Sequence, residues 1–224
     1  MIGIVVAMDA EYEGIAQAWQ QQQSVPWATT VRGMLLGADE AVLVQCGIGK
    51  QAAFEGTRCL LEHCQPRYVI SAGLAGALTP TVRCGDFVVA SGVADWKGGE
   101  EIELLKEPEQ TSLGNQAAPA AADLTLRGHA ARVFKGRILS SDRLICDKAQ
   151  AKSLHLTTQA LCVEMEAAGV LRACRERQCT FAGIKIISDY ADQKAAVSIL
   201  RQQHALCRNL GKLMRRVARD QGGI

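Results

Sequence analysis

The chain has 224 residues, 48% hydrophobic and 21% charged, with a formal net charge of +2. That length suits one α/β domain with a full core, and so small a charge leaves no basic field for nucleic acid or a membrane surface. No apolar run approaches the roughly 18 residues a membrane helix needs, and the opening MIGIVVAMDAE has no basic n-region or cleavage site, so it reads as a buried first strand rather than a signal peptide.

In chain order, Ile2 to Ala7 is a buried strand, and Asp9 to Gln22 a helix with a capping acid at its start. Thr29 to Leu36 and Ala41 to Cys46 form a strand pair turning at Gly37-Ala38-Asp39-Glu40. Lys50 to His63 is a helix and Tyr68 to Ala72 a strand. A turn of small residues, Ala72 to Ala77, follows. Phe87 to Ser91 is a strand opened by Cys84-Gly85-Asp86. From Gly92 to about Ala122 runs an irregular excursion carrying one strand, Glu101 to Leu105. A helix from about Pro119 to Gly128, a strand near Phe134 to Ser140, a short helix Lys148 to His155 and a short strand Ala160 to Val163 come next. Glu164 to Arg177 is a helix and Phe181 to Ile187 a buried strand. The final helix, Lys194 to Arg219, carries the stripe Leu206, Leu210, Leu213 and Val217; its pair Arg215-Arg216 suits the helix dipole. No repeat or linker divides the chain, so residues 1–224 read as a single α/β domain with a mostly parallel sheet. Ligands bind such sheets at the carboxyl ends of strands, here after Ala7, Cys46, Ser71 and Ile187.

The nine cysteines are odd in number and form no CxxC pair. Cys46, Cys64, Cys84 and Cys162 fall in or beside apolar runs, as free thiols do in a reducing cytoplasm. Cys59, His63 and Cys64 sit near helical spacing, but no second cluster completes a metal site. Gly47-x-Gly49-x-x-Ala52 resembles a dinucleotide fingerprint but lacks the acid expected about 20 residues on, and it fails the phosphate-loop pattern at Val44 and Gln51. It reads as a tight strand-to-helix turn. The small residues from Ala72 to Ala77 would let backbone approach a flat ligand. Glu11, Glu166 and Asp189 all stand at strand–helix junctions, the place for acid–base work. None of the four histidines lies at a strand end, and no GxSxG elbow supports a serine hydrolase.

Six stretches occur in an order that resembles a known family: GIVVAMDAE, CGIGKQAA, LLEHCQPRYVISAGLAGALTPTVRCGDFVVA, SSDRLICD, CVEMEAAGV and GIKIISDYAD. They look like the methylthioadenosine/S-adenosylhomocysteine nucleosidases of the nucleoside phosphorylase superfamily, from Ile2 to about Asp192, weakly between Gly92 and Arg132. The resemblance implies a three-layer α/β sandwich around a mixed, mostly parallel, distorted central sheet. It implies cleavage of the N-glycosidic bond of a purine nucleoside, usually by a homodimer, with no metal or organic cofactor; the small-residue turn lacks the Arg and Ser groups of a phosphate site, which favours hydrolysis, and the free cysteines point to the cytoplasm. By the same resemblance Asp189 protonates the purine, Glu166 grips the ribose hydroxyls and Glu11 activates water. Met165 packs on the sugar, Ser188 orients Asp189, and Leu144 and Ile145 hold the base; Ala75 and Gly76 join the substrate-binding residues through the close backbone approach of their small-residue turn. This chain departs from the family at Leu74, where a serine is usual, and at Leu144, where an aromatic is usual. It also has SGVADWKGGEE in place of a tyrosine-histidine-aspartate element, which makes Trp96 a candidate wall of the sugar pocket. A phosphorylase, with Arg32 and Arg143 as phosphate groups, a specialised futalosine or adenosyl-lipid nucleosidase, and a non-catalytic nucleoside-binding module are the alternatives.

Overall fold

Ile2, Ile4 and Val6 are buried in one apolar cluster and Val5 in another, so the first strand is covered on both faces. A strand of that kind belongs at the middle of an α/β sheet. The computed structural model places it there and describes residues 1–28, 31–38, 40–99, 101–105, 124–126 and 128–220. The strands are β1 (Ile2–Val6), β2 (Gln22–Ala28), β3 (Val31–Leu36), β4 (Ala41–Gln45), β5 (Tyr68–Ala77), β6 (Phe87–Trp96), β7 (Ile102–Leu105), β8 (Thr125–Leu126), β9 (His129–Ala130), β10 (Val133–Ser141), β11 (Ala160–Glu164) and β12 (Thr180–Asp189). The helices are α1 (Asp9–Ala16), α2 (Lys50–His63), α3 (Lys148–Thr158), α4 (Ala167–Glu176) and α5 (Ala195–Asp220).

The main sheet runs β11-β10-β6-β12-β5-β1-β4-β3-β2, with β7 beside β6. Its long ladders, β12 on β5 and β10 on β6, are parallel, as are both partners of β1. Antiparallel pairing is confined to β2-β3-β4, to β7, and to short contacts of β12 with β6 and β11 with β5. Helices α1 and α5 cover one face, where Leu206, Leu210, Leu213 and Val217 pack with Ile2, Ile4 and Val6. Helices α2 and α4 cover the other, over Val42, Val44 and Ile187. The result is a three-layer α/β sandwich around a mixed sheet, as the sequence implies.

The differences from the sequence reading are local. Helix α1 stops at Ala16, not Gln22: the Gln22 side chain donates to the carbonyls of Ala16 (2.7 Å) and Trp19 (3.0 Å), and Gln22 itself opens β2. The glutamine run would suit a helix, but pairing with β3 overrides that propensity. The residue capping α1 is Met8, with Asp9 already inside the helix. The Ala72–Ala77 turn is instead the second half of β5, buried throughout. Helix α4 begins at Ala167, because Glu164 still belongs to β11. The helix expected from Pro119 to Gly128 falls largely outside the described residues, and Thr125–Leu126 pairs with β9 as a strand.

Candidate active site

The carboxyl ends of β1, β5, β11 and β12 converge on a cavity of about 360 Å³. That is within the usual range for small-molecule pockets, about 300–1,000 Å³. Glu11, Glu164, Glu166 and Asp189 all line it, and Met8, Ile48, Leu144, Ile199 and Leu200 form much of the remaining wall. Four carboxylates in one apolar cavity are costly unless each is held by donors or by protons.

Asp189 ends β12 beside a register shift: Ile187 pairs with Ala75 and Asp189 with Gly76, leaving Ser188 unpaired between them. Such an extra residue re-aims the side chains around it. The Asp189 carboxyl accepts from Ala191 N–H at 2.9 Å, and Ser188 Oγ lies 2.6 Å from Asp189 Oδ2 and 3.2 Å from the Ala75 carbonyl. A hydroxyl has one proton to donate. Ser188 therefore donates to an ionised Asp189, or accepts from a protonated one while donating to Ala75. It accommodates both states. Burial raises the Asp189 pKa, against the lowering effect of Ser188 and Ala191.

Glu11 sits in the first turn of α1. Its Oε2 accepts from Ala7 and Met8 N–H, both at 3.0 Å, and its Oε1 from Leu74 N–H at 2.8 Å. Burial raises its pKa, although these amides and Lys185 favour the anion. The small residues of β5 make room for both acids. A methyl group on Gly73 would stand 2.6 Å from Glu11 Oε1, and one on Gly76 would stand 2.8 Å from Asp189 Oδ1. The AGLAGA run is thus a pair of notches for carboxylates as well as a close backbone approach.

Glu166 is the residue preceding α4. Its Oε1 accepts from Gly49 N–H at 2.9 Å. Gly49 opens α2 at φ 107°, a conformation that favours glycine. The fingerprint-like turn therefore aims a backbone donor at a carboxylate of this site. Burial, then the neighbouring Glu164, push the Glu166 pKa up to about 7. Glu164 takes a separate part. It accepts from Ser140 Oγ and from the backbone N–H groups of Glu166 (3.1 Å) and Ala167 (2.9 Å). It is also paired with Lys185 Nζ at 2.7 Å. Lys185, buried within β12, is absent from the sequence reading. Its Nζ also donates to Ser71 Oγ at 3.0 Å.

Met165, Ala75, Gly76 and Ser188 line the same cavity, and Ile145 lines a small recess shared with Gly76, Leu144 and Met165. Leu74 faces the cavity while its amide holds Glu11; Leu144 stands half-exposed at the mouth. Trp96 is no wall of it: buried at the end of β6, it donates its indole N–H to Gly99 O and lies under the Arg143 guanidinium. Arg32 stacks on Tyr12 away from the cavity, and Arg143 reaches only the recess. Among the described residues no group of three or more His, Cys, Asp or Glu is arranged to hold a metal.

The family model described as Phosphorylase superfamily matches residues 1–219. Among solved structures, a futalosine hydrolase mutant of Helicobacter pylori superposes with a TM-score of 0.83 at 21% identity, over 98% of each chain. A 5′-methylthioadenosine/S-adenosylhomocysteine nucleosidase of Helicobacter pylori, bound to butyl-thio-DADMe-Immucillin-A, has a TM-score of 0.83 at 22% identity, over 98% of this chain and 97% of that one. The corresponding nucleosidase of Neisseria meningitidis, in complex with methylthio-immucillin-A, has a TM-score of 0.81 at 25% identity over 98% of each chain.

Proposed function

The chain belongs to the phosphorylase superfamily, and from that premise we propose that it hydrolyses the N-glycosidic bond of a purine nucleoside of the adenosine type. The observation that carries this reading is a single cavity lined by Glu11, Glu166 and Asp189, in which burial raises the pKa of each. A purine leaves poorly as an anion. Asp189, its pKa raised by burial, delivers a proton to the five-membered ring, and such a positioned acid contributes on the order of a hundred- to ten-thousand-fold. Glu166 takes the ribose hydroxyls and stabilises the positive charge that develops on the sugar. Glu11 accepts a proton from the attacking water as oxygen bonds to the anomeric carbon. The products are free base and free sugar, and Asp189 regains its proton from solvent or from Glu11.

Water is favoured over phosphate as the acceptor by the charges of the cavity. Among the described residues no Arg or Lys lines it, whereas four carboxylates do, and an entering phosphate would meet like charge with no guanidinium there to grip it. The rim of Met8, Ile48, Leu144, Ile199 and Leu200 is apolar, which favours an uncharged, apolar substituent on the sugar. A homodimer is part of the same reading, tested by sedimentation velocity.

The test is purine release from adenosine, methylthioadenosine, S-adenosylhomocysteine, futalosine and inosine, each with and without inorganic phosphate. Release without phosphate, lost by at least about a hundredfold in Asp189→Asn with the fold intact, is the expected result. Release that requires phosphate would make the chain a phosphorylase. No release from any nucleoside would leave a binding module.

A further inference from the structure

Lys185 is a buried cation that the proposed reaction does not use directly. It lies within a strand whose neighbouring side chains, Ile184, Ile186 and Ile187, are fully buried in the core. A lone ammonium there would be very costly, so its partners define its purpose. On one side its Nζ meets Ser71 Oγ on β5, two residues before the Gly73 notch and three before Leu74, whose amide holds Glu11. On the other it meets Glu164 Oε2 on β11. Glu164 in turn takes the amides of Glu166 and Ala167, while Ser140 Oγ links Glu164 to the amide of Ala168. The ammonium thus ties the strand end that holds Glu11 to the helix start that presents Glu166.

The charges around it are unbalanced. Glu164 from β11, Glu166 from the start of α4 and Glu11 from α1 all act on Lys185, with the thiols of Cys46 after β4 and Cys162 on β11 beyond them. Glu166 faces Glu164, Glu11, Lys185 and the Gly49 amide. Lys185 is the one cation among these groups. We infer that Lys185 is a positioning residue for the proposed reaction: its buried charge, held by Glu164 and Ser71, keeps Glu166 available as an anion for the ribose hydroxyls at neutral pH. The inference rests on the hydrolase reading for the word ribose, but its electrostatic content stands apart from turnover. Burial disfavours the charged lysine, yet Glu164 and the other carboxylates outweigh it and hold its pKa above the ordinary lysine value, so the charge is present throughout the neutral range.

The experiment follows the Glu166 carboxyl by ¹³C NMR in glutamate-labelled protein, with Glu166→Gln identifying the resonance. In Lys185→Met the proton affinity of Glu166 should rise about tenfold, the effect of one neighbouring charge removed. The acid limb of purine release should move to higher pH by the same factor, and Lys185→Arg should restore both. Lys185→Gln keeps hydrogen-bonding capacity towards Ser71 and Glu164 without the charge. It should titrate like the Met variant, and it also serves if Lys185→Met does not fold. A Glu166 titration unchanged in the neutral variants, or restored by Gln, would reduce Lys185 to a structural tie and overturn the inference. Failure of the hydrolase reading appears separately, as no purine release from the wild-type protein, and leaves the titration readable.

Discussion

Asp189 and Gly76 form a close pairing of acid and backbone in the site, and they make the residue-scale prediction. A methyl group added at Gly76 would lie 2.8 Å from Asp189 Oδ1, with Ala191 closing the other side. The carboxyl must then swing away from the Ala191 amide and Ser188. Gly76→Ala should lower purine release by at least tenfold, of the order that overpacking strains of about 1–3 kcal/mol produce, while circular dichroism stays native; full activity would show that the notch is not needed. The three acids themselves are legible in the sequence because each closes a strand or opens a helix. Lys185 is not, since reading Phe181 to Ile187 as a buried strand leaves its lysine without a visible partner. The available signal is that a charge within an otherwise apolar strand must be paired.

At the scale of elements, sequence reading succeeds where periodicity and packing agree. Helix α2 runs from Lys50 to His63 as its pattern predicts, and the α5 stripe is buried as expected. It fails where tertiary pairing overrules local preference: the glutamines that leave α1 for β2, and the glycines of β5 that read as a turn but continue a strand. Glycine also sets the contact between α1 and α5. A side chain on Gly211 would lie 2.3 Å from the Gly14 carbonyl, and one on Gly14 would lie 2.5 Å from Cys207 Cβ. Gly211→Val should therefore push the helices apart and cost about 3 kcal/mol, read as a lower urea midpoint at unchanged slope. An unchanged midpoint would mean that the two backbones tolerate a wider spacing.

For the whole molecule, the cavity links acidity to stability. Glu166 binds its proton more tightly in the fold, at about 7, than at the ordinary value of 4.5. Its contribution to stability is therefore full below about pH 4.5 and is lost as the pH rises through 7, up to about 3 kcal/mol. Glu166→Gln should be more stable than the parent at pH 8 and should match it near pH 4, in urea unfolding at the two pH values. Equal stability at both would place the proton elsewhere among the coupled acids. The Glu166 carboxyl, assigned to the proposed glycosidic chemistry, thus weakens the fold at neutral pH, a common cost of functional sites.

Helix α5 spans 26 residues, about 39 Å at 1.5 Å per residue. Its first turns bring Ala196, Ile199 and Leu200 to the cavity, and α1 brings Glu11 to it. The two helices are clasped farther along by Gly14, Cys207 and Gly211. They meet like the arms of a caliper: Leu200 and Glu11 stand at the cavity, and the pivot is a glycine contact one helical turn past Glu11 and about 10 Å or more along α5 from Leu200. A bulkier residue at that pivot is expected to change the spacing of the two arms while leaving every side chain that lines the cavity unaltered.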